Sequence, residues 1–194
     1  MASKFASFIL FLRRIVGLIF TPYVTMRKIS LDTSWGELFF IFIFSLFYFF
    51  ITNAVRYWLN GLIGAASLFG ISIIFFSLMP AGQGTYTDRL VRIFRTWAYT
   101  LIPTLIWFYS TLLFYFLLPP PRTASVWGQL FSIFYIAFSA SLLIWKLILV
   151  YLSIRFSLRV HLYRVIYYIL IYLALSIPLW IFLYKAGISR IPFV

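Results

Sequence analysis

Three carboxylates, one histidine and one lysine set in an apolar run are the residues of this 194-residue chain from which catalysis would have to be built. Asp32, Glu37 and Asp88 fall at predicted helix starts or loops, and no apolar segment contains an acid. Intramembrane aspartyl hydrolysis or a carboxylate proton relay needs acids within the spans, so neither fits. Ser34-Trp35-Gly36-Glu37 has capping-box spacing, and Glu37 is expected to reach back to the backbone of Ser34. His161 stands without other ligands at metal-binding spacing and reads as a surface residue among arginines. Cysteine is absent, which removes disulfides, thiolate metal sites and thiol nucleophiles. No G-x-S-x-G elbow marks a nucleophilic serine. The expectation is a non-enzyme with no catalytic residue, no cofactor and no metal.

Lys146 is the most pointed single residue, because it interrupts a long apolar stretch. One reading has it contact an anion or lipid phosphate from within the membrane. The preferred reading has its stem snorkel to the near end of its helix, roughly 9 Å away at 1.5 Å per residue.

The remaining charge is almost entirely cationic. Sixteen Lys and Arg against three acids give a net charge of +13, while 64% of residues are hydrophobic. Such a pI usually suggests nucleic acid, but here the basic groups border apolar spans, so anionic lipid is the expected partner and nucleic acid is not. In the stretch Gly82–Pro103, Thr87 and Asp88 are expected to cap a helix that begins near Arg89. At 100° per residue, Arg89, Arg92 and Arg95 fall at about 0°, 300° and 240°, opposite Leu90, Val91, Ile93, Phe94, Trp97 and Ala98. This suits a headgroup region. Together with Arg155, Arg159 and Arg164, these arginines are expected to contact anionic headgroups or an acidic partner. A protein partner or a second copy of the chain is a further candidate.

The elements that would position these groups are helices in a membrane. A mean hydropathy of +1.05 lies far outside the range of soluble domains. The fold expected is an all-α membrane protein with five transmembrane helices. Residues 1–33 form an amphipathic interfacial segment, in which Phe5, Phe8, Ile9, Leu12, Ile15, Val16, Ile19 and Phe20 make the apolar stripe. Thr21 and Pro22 stop one helix and start the next. Residues 34–184 form the membrane domain, with spans at about 35–53, 61–79, 97–118, 126–152 and 165–184 and a short basic interfacial helix before the third. Residues 185–194 form a short tail. Ala66 and Gly70 give the second span a small-xxx-small face, Asn53 and Asn60 mark a polar hairpin, and the three prolines at 119–121 a stiff connection. Arg13 and Arg14 interrupt the first apolar run, which argues against a cleaved signal peptide. Eleven of the sixteen cations fall on one side of this arrangement and four on the other, with Lys146 inside a span. The positive-inside rule then places the N-terminus in the cytoplasm and the C-terminus outside, in a cell membrane or, in a eukaryote, an endomembrane.

In this order of elements the chain resembles a Yip1-domain protein, a family of five-span integral membrane proteins. The resemblance covers about Pro22 to Tyr184. It rests on the Thr21-Pro22 entry, the Gly82-x-Gly84-Thr85-Tyr86 loop, the Ala98-Tyr99-x4-Pro103 entry to the third span and Trp145 before a basic loop. It implies a role in membrane organisation or traffic. Eukaryotic members act on Golgi and ER membranes and associate with Rab-type GTPases through a setting that includes a long polar N-terminal region. This chain starts almost at the membrane and is more similar to compact bacterial or archaeal members. No catalytic residue is implied. The alternative function is a small-solute or ion transporter or channel, suggested by the glycine-rich second span and the prolines of the third and fifth.

Overall fold

Among the residues described in the computed structural model, 2–32, 35–52, 58–79, 85–117 and 125–185, the chain forms eight α-helices and no strand. They are α1 (Ala2–Phe20), α2 (Pro22–Leu31), α3 (Gly36–Thr52), α4 (Trp58–Leu78), α5 (Tyr86–Tyr99), α6 (Ile102–Leu117), α7 (Val126–Leu158) and α8 (Leu162–Lys185). Asn53, Arg56, Pro80, Gly82, Gly84, Arg122, Arg190 and the prolines at 119–121 lie outside the described residues, as do Ser34 and the side chain of Asn60.

Among the described residues, three helices are long and apolar enough to cross a membrane: Tyr86–Phe114, Val126–Leu158 and Leu162–Leu179. A fourth is added if Pro22–Leu31 and Gly36–Phe47, bent by 113°, count as one span. The described apolar part of α4, Phe69–Leu78, is shorter. Thr85, not Thr87 or Asp88, is the N-cap of α5, and the helix starts three residues earlier than expected near Arg89. Its hydroxyl accepts from Asp88 N at 3.3 Å and donates to the Asp88 carboxylate at 2.7 Å. Pro103 explains the join between α5 and α6. It has no N–H to give to the carbonyl of Tyr99, four residues back, and its ring crowds that carbonyl. Thr100 N and Leu101 N turn instead to Trp97 O at 3.0 Å and Ala98 O at 3.1 Å, a tightened turn between two otherwise continuous helices.

The buried residues gather at one end. They come from the start of α3 (Leu38, Ile41), the end of α4 (Ile73, Phe76), α5 (Ile93, Trp97, Ala98, Tyr99), the end of α7 (Leu149, Leu152, Ile154, Leu158) and the start of α8 (Val165, Tyr168). Helices α1 and α2 close this end, through Phe11, Leu18, Met26 and Ile29. The apolar face of α5 is thus packed against α4 and α7 within the protein. The rest of α7 carries its apolar residues outward, and only 6% of its most apolar window is buried. At 33 residues α7 is about 50 Å long, some 20 Å more than a hydrocarbon core. Its last third is the part that the other helices surround.

Helix α1 has two apolar faces. Phe8, Phe11, Ile15 and Leu18, within about 0° to 80° of the wheel, face the core. Ile9, Leu12, Val16, Ile19 and Phe20 are exposed. Phe11 and Leu18, which the expected stripe omits, are the most deeply buried residues of the helix. Pro22 opens α2 at its first helical position as expected, but the Thr21 hydroxyl donates back to Gly17 O at 3.2 Å.

Close helix contact falls on glycines other than those expected. A Cβ on Gly17 would lie 2.6 Å from Thr25 Oγ1, so α1 and α2 touch there only because the side chain is absent. A Cβ on Gly70 would meet nothing within 4 Å. The small-xxx-small face of α4 is not used for packing within the chain at this position. We expect Gly17→Ala to lower the thermal midpoint in detergent by the equivalent of about 1–3 kcal/mol, the range for overpacking. Gly70→Ala should leave it unchanged or raise it, because alanine favours helix by about 1 kcal/mol. Equal losses at both sites would refute the assignment.

Candidate functional site

The charged groups at the packed end fall into three sets with different partners. The first is a buried ion cluster. The guanidinium of Arg14 on α1 donates to Glu37 Oε2 at 2.8 Å and also to the carboxylate of Asp32, where α2 ends. The Tyr99 hydroxyl on α5 donates to the same Glu37 oxygen. Glu37 is only 2% exposed. Its carboxylate is therefore the joint of α1, α3 and α5; the expected cap contact with the Ser34 backbone falls outside the described residues. Burial works against the charge on Arg14, but the hydrogen bonds and the field of the neighbouring groups outweigh it, and its pKa is raised above the ordinary arginine value.

The second set is the arginines of α5. Arg89 donates to Met79 O at 2.8 Å, just beyond the end of α4. Arg92 donates to Ser157 O at 3.3 Å, in the last turn of α7. Both place a cation on carbonyls that a helix end leaves unpaired. Arg95 is 8% exposed, and its guanidinium lies 4.9 Å from the centre of the Trp35 ring. Beside them, Thr96 on α5 is tied to α7 by hydroxyl contacts of 2.6 Å to Ser157 and 2.8 Å from Ser153. These arginines stand in one row on the wheel as expected; Arg89 and Arg92 are half-buried and reach neighbouring carbonyls, and Arg95 is buried.

The third set faces outward. A pocket of about 320 Å³ opens between α2 and the end of α7, lined by Arg27, Ser30, Leu31, Arg155, Phe156, Arg159 and Val160. Arg155 donates to the Tyr151 hydroxyl at 2.9 Å and lies over the rings of Tyr23 and Tyr151, at 5.4 and 5.9 Å. Arg159 ends α7 with a left-handed backbone, φ 52° and ψ 47°. Arg164 is exposed on the first turn of α8. A second groove, of about 500 Å³, runs between α1 and α2, where Arg13 and Lys28 stand beside Leu10, Val16, Phe20 and Val24. Arg27 was not among the expected site residues. Nothing local distinguishes it, because its value comes from the fold bringing α2 against α7.

Lys146 does not run along its helix. Its ammonium reaches across to donate to Thr104 Oγ1 at 2.9 Å, at the start of α6. Among the described residues no group of three or more His, Cys, Asp or Glu is placed to hold a metal ion. Comparisons with protein-family models, curated proteins and solved structures give no match to the chain.

Removing Arg14 would leave Glu37 buried without its counter-charge. Breaking a buried pair on one side costs about 3–5 kcal/mol. We expect Arg14→Met to lower the thermal midpoint strongly, and Glu37→Gln in the same chain to recover much of the loss. Additive losses in the double variant, measured by thermal unfolding in detergent, would contradict the pairing.

Proposed function

We propose that this chain is a non-enzymatic, multi-pass membrane protein that binds anionic lipid at one face, with an organising role of the Yip1 type. In this reading the five spans are α3, α4, α5 continued by α6, α7 and α8, and α1 lies in the interface. The observation that carries it is the coincidence of charge and burial. Arg13, Arg27, Lys28, Arg155, Arg159 and Arg164 all stand on the end where the core lies, and away from it the helices expose apolar side chains. The outward face of α1, with Ile9, Leu12, Val16, Ile19 and Phe20 beside Arg13, supports an interfacial position. Each outward cation contributes about 1 kcal/mol of attraction at an anionic surface. The arginines of α5 belong to a different class, since they hold helix ends. Partner proteins or a second copy would meet the same basic face or the exposed apolar helices.

Orientation is the accessible test, because the chain has no cysteine. Tyr163, 83% exposed in the first turn of α8, and Trp127, 80% exposed at the start of α7, lie at opposite ends in this reading. A cysteine in place of Tyr163 should react with an impermeant maleimide only from the cytoplasmic side, and one in place of Trp127 only from outside. Labelling of both from one side would end the five-span, N-in topology. Protein purified in neutral detergent should also carry anionic lipid in excess over its share of the membrane, less so as salt rises.

A further inference from the structure

We propose that the pocket between α2 and the end of α7 is a stoichiometric site for a phosphate monoester, held by Arg27, Arg155 and Arg159. The proposal rests on the reading of this end as a face for anionic headgroups and makes it specific. General attraction to a charged surface needs only exposed cations. This pocket has more.

Its lining includes three arginines and no carboxylate-bearing residue. The acids of the chain are engaged elsewhere: Asp32 and Glu37 meet Arg14, and Asp88 meets Thr85. Helices α2 and α7 both end here, and their dipoles place about half a negative charge each beside the arginines. Against three positive charges, that leaves an excess of about two. A phosphate monoester carries about −1.5 to −2 at neutral pH, whereas a diester carries a single charge.

The geometry is prepared in part. The hydroxyl of Tyr151 and the ring faces of Tyr23 and Tyr151 fix Arg155, and Phe156 packs edge-on against Tyr23 at 5.0 Å. Arginine held in this way loses less freedom when its fork meets a phosphate. Arg159 is the one non-glycine residue with positive φ among the described residues. Glycine or asparagine usually takes that position at a helix end. The strained backbone presents a third cation at the rim. The cavity, about 320 Å³, stands at the small end of ligand sites, enough for a headgroup rather than acyl chains. Exposed Leu31 leaves an apolar wall beside it.

The test uses the full chain in neutral detergent, titrated with dioctanoyl phosphatidic acid, dioctanoyl phosphatidylglycerol and inorganic phosphate, with occupancy read by native mass spectrometry. The monoester lipid should saturate at one per chain and bind at least tenfold more tightly than the diester. Arg27→Gln with Arg159→Gln should weaken it at least tenfold and erase the preference. Lys185→Gln, at the far end of α8, should not change it. Arg27→Lys, which keeps the charge but loses the fork, should fall between, and its thermal midpoint reports that the protein is folded. Displacement by inorganic phosphate at comparable concentration would make soluble phosphate the ligand, and no displacement would make it a lipid headgroup. Both outcomes support the site. Equal binding of the two lipids, or unchanged monoester binding in the double variant, would overturn the site while leaving the broader headgroup reading intact. Binding of neither lipid by the unaltered chain would overturn both.

Discussion

A carboxylate removed from water has to be matched where it sits, and in this chain the carboxylate of Glu37 is matched by Arg14 and Tyr99. That requirement fixes three helices at once. The first turn of α3 must meet the middle of α1 and the end of α5, and α1 can come this close to α3 because Gly36 stands beside Ser7. Asp32 shares Arg14, so the end of α2 is drawn in too. The aromatic packing follows from this arrangement. Phe11 stacks on Phe40 and Phe44, and Phe94 on Phe42, around a polar centre that is already closed.

The same end shows why so many cations are not a uniform surface charge. Arg89 and Arg92 complete the ends of α4 and α7, where unpaired carbonyls carry partial negative charge. Arg14 compensates two acids. Cations fixed in this way strengthen the bundle but are poorly available to a ligand. Arg27, Arg155 and Arg159 have no acid in their pocket, so their excess charge is open to an external anion. Structural and binding arginines are thus separated by the company they keep.

The difference also marks how much could be read without coordinates. Helical class, the start of α7 and the break at Thr21-Pro22 follow from local rules, because caps, prolines and long apolar runs act within a few residues, whereas α7 runs on to Leu158, six residues past its expected end. The start of α5 was legible in Thr85-x-x-Asp88, but two nearer polar residues competed for the same role. Phe11 and Leu18 were hidden by a helix that is apolar on two sides, where periodicity cannot tell protein from lipid. Glu37 offered a local capping-box role, but its partners Arg14 and Tyr99 are 23 and 62 residues away in sequence, beyond the reach of any local pattern. The pocket is the extreme case. Arg27 and Arg155 come together only through the packing of α2 on α7.

Away from the packed end, a different force has to hold the helices. In hydrocarbon, apolar side chains gain nothing by leaving lipid for one another, so association relies on close contact and on polar groups that lack water. The long apolar helices carry such pairs. Trp107 donates to Ser139 at 3.0 Å, Thr111 meets Tyr135 at 2.6 Å, and Tyr109 donates to Phe44 O at 2.6 Å. They join α6 to α7 and α6 to α3. Lys146 belongs to this set, since its bond to Thr104 ties α7 to the start of α6. These pairs are spread along the helix interfaces rather than gathered in one place.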